Sequence, residues 1–166
     1  MVMLGNIPGT YIYHNLYHYK EAVRVPGFLI LSIEAPINFA NTTYLKERIS
    51  RWIEDYVTEE EETKKHFGLH FVILDLFAVN AIDTSGVSFL KDLRMAMEKK
   101  GLEARNIDFL FIYLLVMVNP LGVVMEKLQR ADESREFMRP DALFLTIGEA
   151  VTTLNSTIKS QSSNNV

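Results

Sequence analysis

The chain has 166 residues, the length of one ordinary domain. It is 48% apolar and 23% charged, so it can bury a core, and its lack of cysteine excludes disulfides, thiolate metal sites and thiol nucleophiles. A net charge of −4 argues against non-specific binding to nucleic acid or anionic lipid.

Residues 1–27 are rich in Gly, Pro, Asn and aromatics, the composition of a connecting segment laid against a domain. Within it Tyr11, Tyr13, Tyr17 and Tyr19 alternate with other residues at period two, which predicts a short strand. Pro8-Gly9 and Pro26-Gly27 read as turns. Phe28 to Ile33 is an almost unbroken apolar run, the pattern of a strand covered on both faces, and Pro36 ends or bends it. A helix is predicted from Asn41 to Val57, with Asn41 or Thr42 as cap. Leu45, Ile49, Trp52, Ile53 and Tyr56 form its inner face. Thr58 to Lys65 (TEEEETKK) has no apolar face and is expected to be a charged, solvated loop.

A second buried strand follows from Phe71 to Leu76. A helix is predicted from Ser85 to Lys99, with Val87, Leu90, Leu93, Ala96 and Met97 facing in and Gly101 as its stop. The longest apolar run, Phe109 to Val118, has ten residues, whereas a membrane span needs about 20. A helix near Leu121 to Arg130 and a short strand at Leu143 to Leu145 come next. Thr146 and Glu149 have capping-box spacing, so a last helix begins there and carries Ala150, Val151 and Leu154 inward. Ser160 to Val166 is polar and is expected to be disordered. Strands alternating with helices give an α/β class with one sheet. The N-terminus lacks the basic start and apolar core of a secretory signal, so a soluble chain is expected.

The one arrangement that carries chemistry is a strand, a short loop, and Asp83-Thr84-Ser85-Gly86 opening a helix. The first N–H groups of a helix have no internal partner, and the helix dipole is positive at that end, so Ser85, Gly86 and Val87 are candidate donors to an anion. Thr84 and Ser85 are hydroxyls at an exposed tip where a phosphoryl group would add a charge of about −1.5 to −2. An ordinary N-cap needs the same residue types. Asp75 lies inside an apolar strand, but the pair of acids after the first strand and the late lysine that a receiver domain needs are not evident. His14, His18, His66 and His70 form two i, i+4 pairs, yet their surroundings read as loop or strand rather than helix, so no metal is expected. No glycine-rich phosphate loop, GxSxG or HExxH is present, and neither an enzyme activity nor a cofactor is expected.

Three stretches resemble one known family: PGFLILSIEAPINFANTTYLKERISRW (Pro26 to Trp52), VILDLFAVNAIDTSG (Val72 to Gly86) and LVMVNPLGVVMEKLQR (Leu115 to Arg130). The chain is similar to a STAS domain, the module of bacterial anti-sigma-factor antagonists and of SulP-type anion transporters, and within these to the plant sulfate transporters. The resemblance implies a small mixed β-sheet flanked by helices. It places Thr84 at the phosphorylatable Ser/Thr position, with Asp83 the acid before it and Ser85 and Gly86 the start of the helix. It further implies a regulatory domain on the cytoplasmic side of a multi-pass transporter. Its partners would be the membrane domain of the same protein and a cytosolic regulator or kinase. Residues 1–24 would then be the linker from the last membrane helix, 25–158 the domain and 159–166 a disordered tail. Against the family pattern, Ala104 to Leu114 (ARNIDFLFIYL) looks inserted, as a translated intron or gene-model error would produce. Two other readings are a free-standing partner-switching regulator and a small α/β enzyme or nucleotide-binding protein.

Overall fold

The computed structural model describes residues 1–63, 68–104, 114–132 and 139–163. Six strands form one sheet: β1 (Val2–Asn6), β2 (Tyr13–Asn15), β3 (Phe28–Ser32), β4 (Phe71–Asp75), β5 (Leu114–Val118) and β6 (Leu143–Phe144). Their spatial order is β2-β1-β3-β4-β5-β6. β3 to β6 are parallel, and β1 is antiparallel to both of its neighbours. The helices α1 (Thr42–Thr63), α2 (Thr84–Ala104) and α3 (Gly122–Ala131) connect successive parallel strands, and α4 (Ile147–Ser163) follows β6. This is the α/β class that the pattern gives and the mixed, helix-flanked sheet that the family resemblance implies.

The alternation of side chains along each strand decides what covers each face. Leu29, Leu31, Val72, Leu74, Leu115 and Met117 point to one side, where they meet Leu45, Ile49 and Trp52 of α1, Leu90 and Leu93 of α2, and Val124 and Leu128 of α3. The intervening residues, Phe28, Ile30, Phe71, Ile73, Val116 and Val118, meet Ala150, Val151 and Leu154 of α4. Consecutive same-handed crossovers place the first three helices on one face. The remaining face falls to α4. Every residue of β3 and β4 is buried, as their unbroken apolar runs indicate.

Several boundaries differ from the sequence reading, each for an identifiable reason. Residues 1–24, expected as a linker laid against the domain, supply β1 and β2. Val2, Met3 and Leu4 pair with Ser32, Leu31 and Ile30, so the sheet does not begin at residue 25. The tyrosine pattern yields a strand only at Tyr13–Asn15. Residues 58–63 are helix rather than loop: once α1 is nucleated, glutamates propagate it without needing an apolar face. α2 runs through Gly101 to Ala104, since a glycine costs a helix only about 1 kcal/mol. α4 extends to Ser163, through most of the tail expected to be disordered. Ala96 is exposed rather than inward-facing. Of the segment that looks inserted, Ala104 ends α2 and Leu114 opens β5, pairing with Phe71, while 105–113 lie outside the described residues.

Two local contacts anchor elements of the frame. Gly27, at φ +82°, turns the chain into β3, and its buried N–H donates to the Tyr56 hydroxyl of α1 at 2.9 Å. Burial pushes the Tyr56 phenol up to about 12. At the start of α4 the Glu149 N–H donates to the Thr146 hydroxyl at 3.1 Å, as in a capping box, while Glu149 Oε2 reaches one residue further back and accepts the Leu145 N–H at 3.0 Å.

Candidate functional site

The candidate site forms where β3 and β4 release their chains at the carboxyl end of the sheet. Beyond the strands, Ile37 and Ile82 make an isolated parallel bridge, in which the Ile37 N–H donates to Ala81 C=O at 3.0 Å and the Asp83 N–H to Ile37 C=O at 3.1 Å. Both isoleucines are buried, so the loop before α2 is clamped to the loop after β3 by apolar packing as well as hydrogen bonds. From α3, the Lys127 ammonium donates to Ile82 C=O at 2.6 Å and holds the same loop from a third side.

Asp83 is the N-cap of α2. Its Oδ1 accepts the Gly86 N–H at 2.8 Å, and its carbonyl accepts the Val87 N–H at 3.0 Å. Its other oxygen, Oδ2, accepts the Phe39 N–H from the β3–α1 loop at 3.0 Å. One carboxylate thus bridges two loops. The Gly86 N–H, joined by the Phe39 and Ser85 N–H groups and the Lys127 charge, holds the Asp83 carboxyl below its ordinary value; partial desolvation opposes them. Of the donors expected to face an anion, the Gly86 and Val87 N–H groups are thus engaged by Asp83. The Asp83 carboxylate is thus the anionic group at this helix start.

Gly86 is required by close approach. A Cβ there would lie 2.6 Å from Ile82 Cγ1 and 2.7 Å from the Ile37 carbonyl oxygen, closer than van der Waals contact permits. Thr84, the first residue of α2, is exposed, and Ser85 is half-buried. With Thr42, Thr43 and Lys46 of α1, and Ser88, Phe89 and Asp92 of α2, they line a cavity of about 400 Å3 between the two helices. The cavity therefore offers five hydroxyls, one cation and one carboxylate. Asn41, expected as the cap of α1, turns back into its own loop: Oδ1 accepts the Asn38 N–H at 3.0 Å and Nδ2 donates to Pro36 C=O at 2.7 Å.

Sequence reading missed Ile37, Phe39, Lys46 and Lys127, because each joins the site through folding rather than through a local motif. The weaker candidates have structural roles. Asp75 ties strand ends together, accepting from Asn119 Nδ2 at 3.1 Å, the Phe77 N–H at 3.2 Å and Ser32 Oγ at 3.4 Å. His14 stacks on Tyr19 with ring centroids 4.3 Å apart, and His66 lies outside the described residues.

The STAS-domain family model matches residues 19–150. The chain belongs to the STAS domain family. This STAS chain is 56% identical over its whole length to probable sulfate transporter 3.3 of Arabidopsis thaliana, of which it covers 24%. It is 43% identical over 89% of its length to sulfate transporter 3.1 of the same plant, covering 20% of that protein. Over 91% of its length it is 34% identical to high affinity sulfate transporter 1 of Stylosanthes hamata, covering 21%. The chain thus spans about a quarter of the length of these relatives or less. Among solved structures, 93% of it matches 22% of the murine Solute Carrier 26 family member A9 anion transporter, with a TM-score of 0.71 at 22% identity. A sulfate transporter family protein from Wolinella succinogenes matches 84% of the chain over 94% of its own length, with a TM-score of 0.57 at 18% identity. At such identities the two structures establish the fold. No helix among the described residues is long and apolar enough to cross a membrane.

Proposed function

We propose that this STAS chain is the cytoplasmic regulatory domain of a multi-pass sulfate transporter, and that phosphorylation of Thr84 is its switch. The single observation that carries the switch is the position of Thr84, exposed at the first residue of α2 and immediately after the carboxylate that bridges two loops. The alignment over the whole chain with a plant sulfate transporter supports the transporter context.

The geometry supports a phosphorylatable loop over an anion-sensitive one, because Asp83 already fills the helix start. A phosphate on Thr84 would bring a charge of about −1.5 to −2 next to Asp83 and compete with it for the same helix N-terminus. Lys46, across the cavity, would attract the phosphate, whereas Asp83 and Asp92 would repel it. Weakening the Asp83 cap also frees the Phe39 N–H, so a covalent change on α2 reaches the β3–α1 loop. The readers of that change would be the transporter's membrane domain and a cytosolic regulator or kinase. The domain has no part in the transport path; it controls the activity, folding and delivery of the part that has.

The test is sulfate uptake by the full-length protein carrying Thr84→Ala or Thr84→Asp, normalised to the amount of protein at the membrane. The two variants are expected to differ in uptake, while the isolated variant domains keep the wild-type fold. Identical uptake by both would reduce Thr84 to an ordinary residue of the first helical turn.

A further inference from the structure

The loops that lead into α1 and α2 are joined by the Ile37–Ile82 bridge and by the Phe39 N–H on Asp83. The starts of the two helices therefore stand on either side of the cavity that Thr84 lines. Across that cavity, Thr42 and Lys46 are four residues apart in α1 and share one face. A long side chain on a helix leans toward the amino end, so the Lys46 stem runs back over the first turn. Thr42 and Thr43 bring their hydroxyls to the same cavity from that turn.

The charges around Thr84 decide where a phosphoryl group on it would go. On α2, Asp83 already accepts the Gly86 N–H, and a second anion beside it is repelled. Asp92 also repels, but it stands eight positions on, about 12 Å along α2, beyond the ~8 Å over which salt screens exposed charges. Lys127 is committed: its ammonium donates to Ile82 C=O at 2.6 Å, and it does not line the cavity. Lys46 is the one cation among the lining residues. Its own helix offers it no acid, since positions 42, 43, 49 and 50 are Thr, Thr, Ile and Ser, and Glu47 is turned about 100° around the axis.

We infer that Lys46, with the Thr42 and Thr43 hydroxyls, is the receiver for a phosphoryl group on Thr84, so that the modified chain closes the cavity between α1 and α2. The inference rests on the reading of Thr84 as the switch and names what the switched state binds. It gives the modified chain a second defined arrangement rather than a merely loosened one. Before modification Asp83 holds α2 to the loop ahead of α1; afterwards Lys46 holds α2 to α1 itself. The change thereby reaches a helix whose inner face is part of the core.

The experiment uses chain 1–166, which contains the whole sheet and the helices that cover both its faces, made with phosphothreonine at position 84. Phosphorus NMR follows the second ionisation of the phosphate, whose ordinary value is about 6. Lys46→Met is expected to raise that value by about half a unit relative to wild type, a roughly threefold change in the ionisation constant. Lys46→Arg keeps the positive charge and should keep the wild-type value. Lys46 is exposed, so both variants leave the core intact. The effect of the phosphate on melting temperature should follow the same order, more favourable with lysine or arginine at position 46 than with methionine. Equal ionisation in wild type and Lys46→Met would overturn the inference. If Thr84→Ala and Thr84→Asp give identical uptake in the full-length protein, the switch reading itself fails. If they differ while Lys46→Met leaves the phosphate's ionisation unchanged, the receiver alone fails.

Discussion

Replacing Gly86 by alanine isolates the close approach on which the site depends. The new methyl group would meet Ile82 Cγ1 at 2.6 Å and the Ile37 carbonyl oxygen at 2.7 Å. Side-chain rotation can relieve the first contact but not the second, because the oxygen belongs to the backbone and accepts the Asp83 N–H at 3.1 Å. Overpacking of this kind costs about 1–3 kcal/mol, and weakening one buried hydrogen bond adds about 1 kcal/mol. Removing a helical glycine returns about 1 kcal/mol, so the net destabilisation is about 2 kcal/mol. For a domain of this size that lowers Tm by about 4–8 °C, measurable by circular dichroism on chain 1–166. Gly122→Ala is the control: it also sits at a helix start, but no atom lies within 4 Å of its added Cβ, and its effect should stay within about 0.5 kcal/mol. A Gly86→Ala protein that melts at or above the wild-type temperature would refute the claim that α2 is pressed against the Ile37 loop.

Other expectations follow from the same contacts. Asp83→Ala should melt lower than wild type near neutral pH. Because the folded carboxyl titrates below its ordinary 3.8, its contribution is present above that value and is lost as pH falls through the lower folded value; the two melting temperatures should therefore converge in acid. Tyr56→Phe leaves the buried Gly27 N–H without its acceptor and should cost about 1–3 kcal/mol, read from chemical denaturation. The raised phenol also gives wild type a loss of stability as pH climbs from 10 to about 12, a component that the phenylalanine variant should lack. Deleting residues 105–113 should leave the melting temperature equal or higher if the segment is foreign to the domain; a clear fall would show that it belongs there.

The core was legible because burial writes itself into local patterns. Apolar runs located β3 and β4, and helical spacing identified Leu45, Ile49, Trp52, Ile53 and Tyr56 as the inner face of α1, all buried in the fold. The Thr146 and Glu149 spacing gave the start of α4 for the same reason: a capping box is local chemistry. Helix ends were less legible, since Glu59 to Thr63 and Gly101 show no reason to be helical until a nucleated helix reaches them. β1 and β2 read as a connecting segment because they carry only half-buried patterns, and the pairing that brings them into the sheet, β1 on β3, joins residues 26 or more positions apart. At the site, Asp83 and Gly86 stood out within a strand–loop–helix motif. Phe39, Ile37 and Lys127 did not, because their roles are set by contacts across 44 or more positions in sequence, as in the Phe39–Asp83 and Lys127–Ile82 bonds.

The proposed switch is tested most directly by the phosphate content of Thr84 in the full-length protein purified from cells grown with and without sulfate. Trypsin should release residues 66–91 as one peptide, and mass spectrometry can place a phosphate within it. The expected result is phosphate on Thr84 in a fraction that changes with sulfate supply and moves together with uptake. An unmodified peptide under every condition, together with wild-type uptake by both Thr84→Ala and Thr84→Asp, would contradict it.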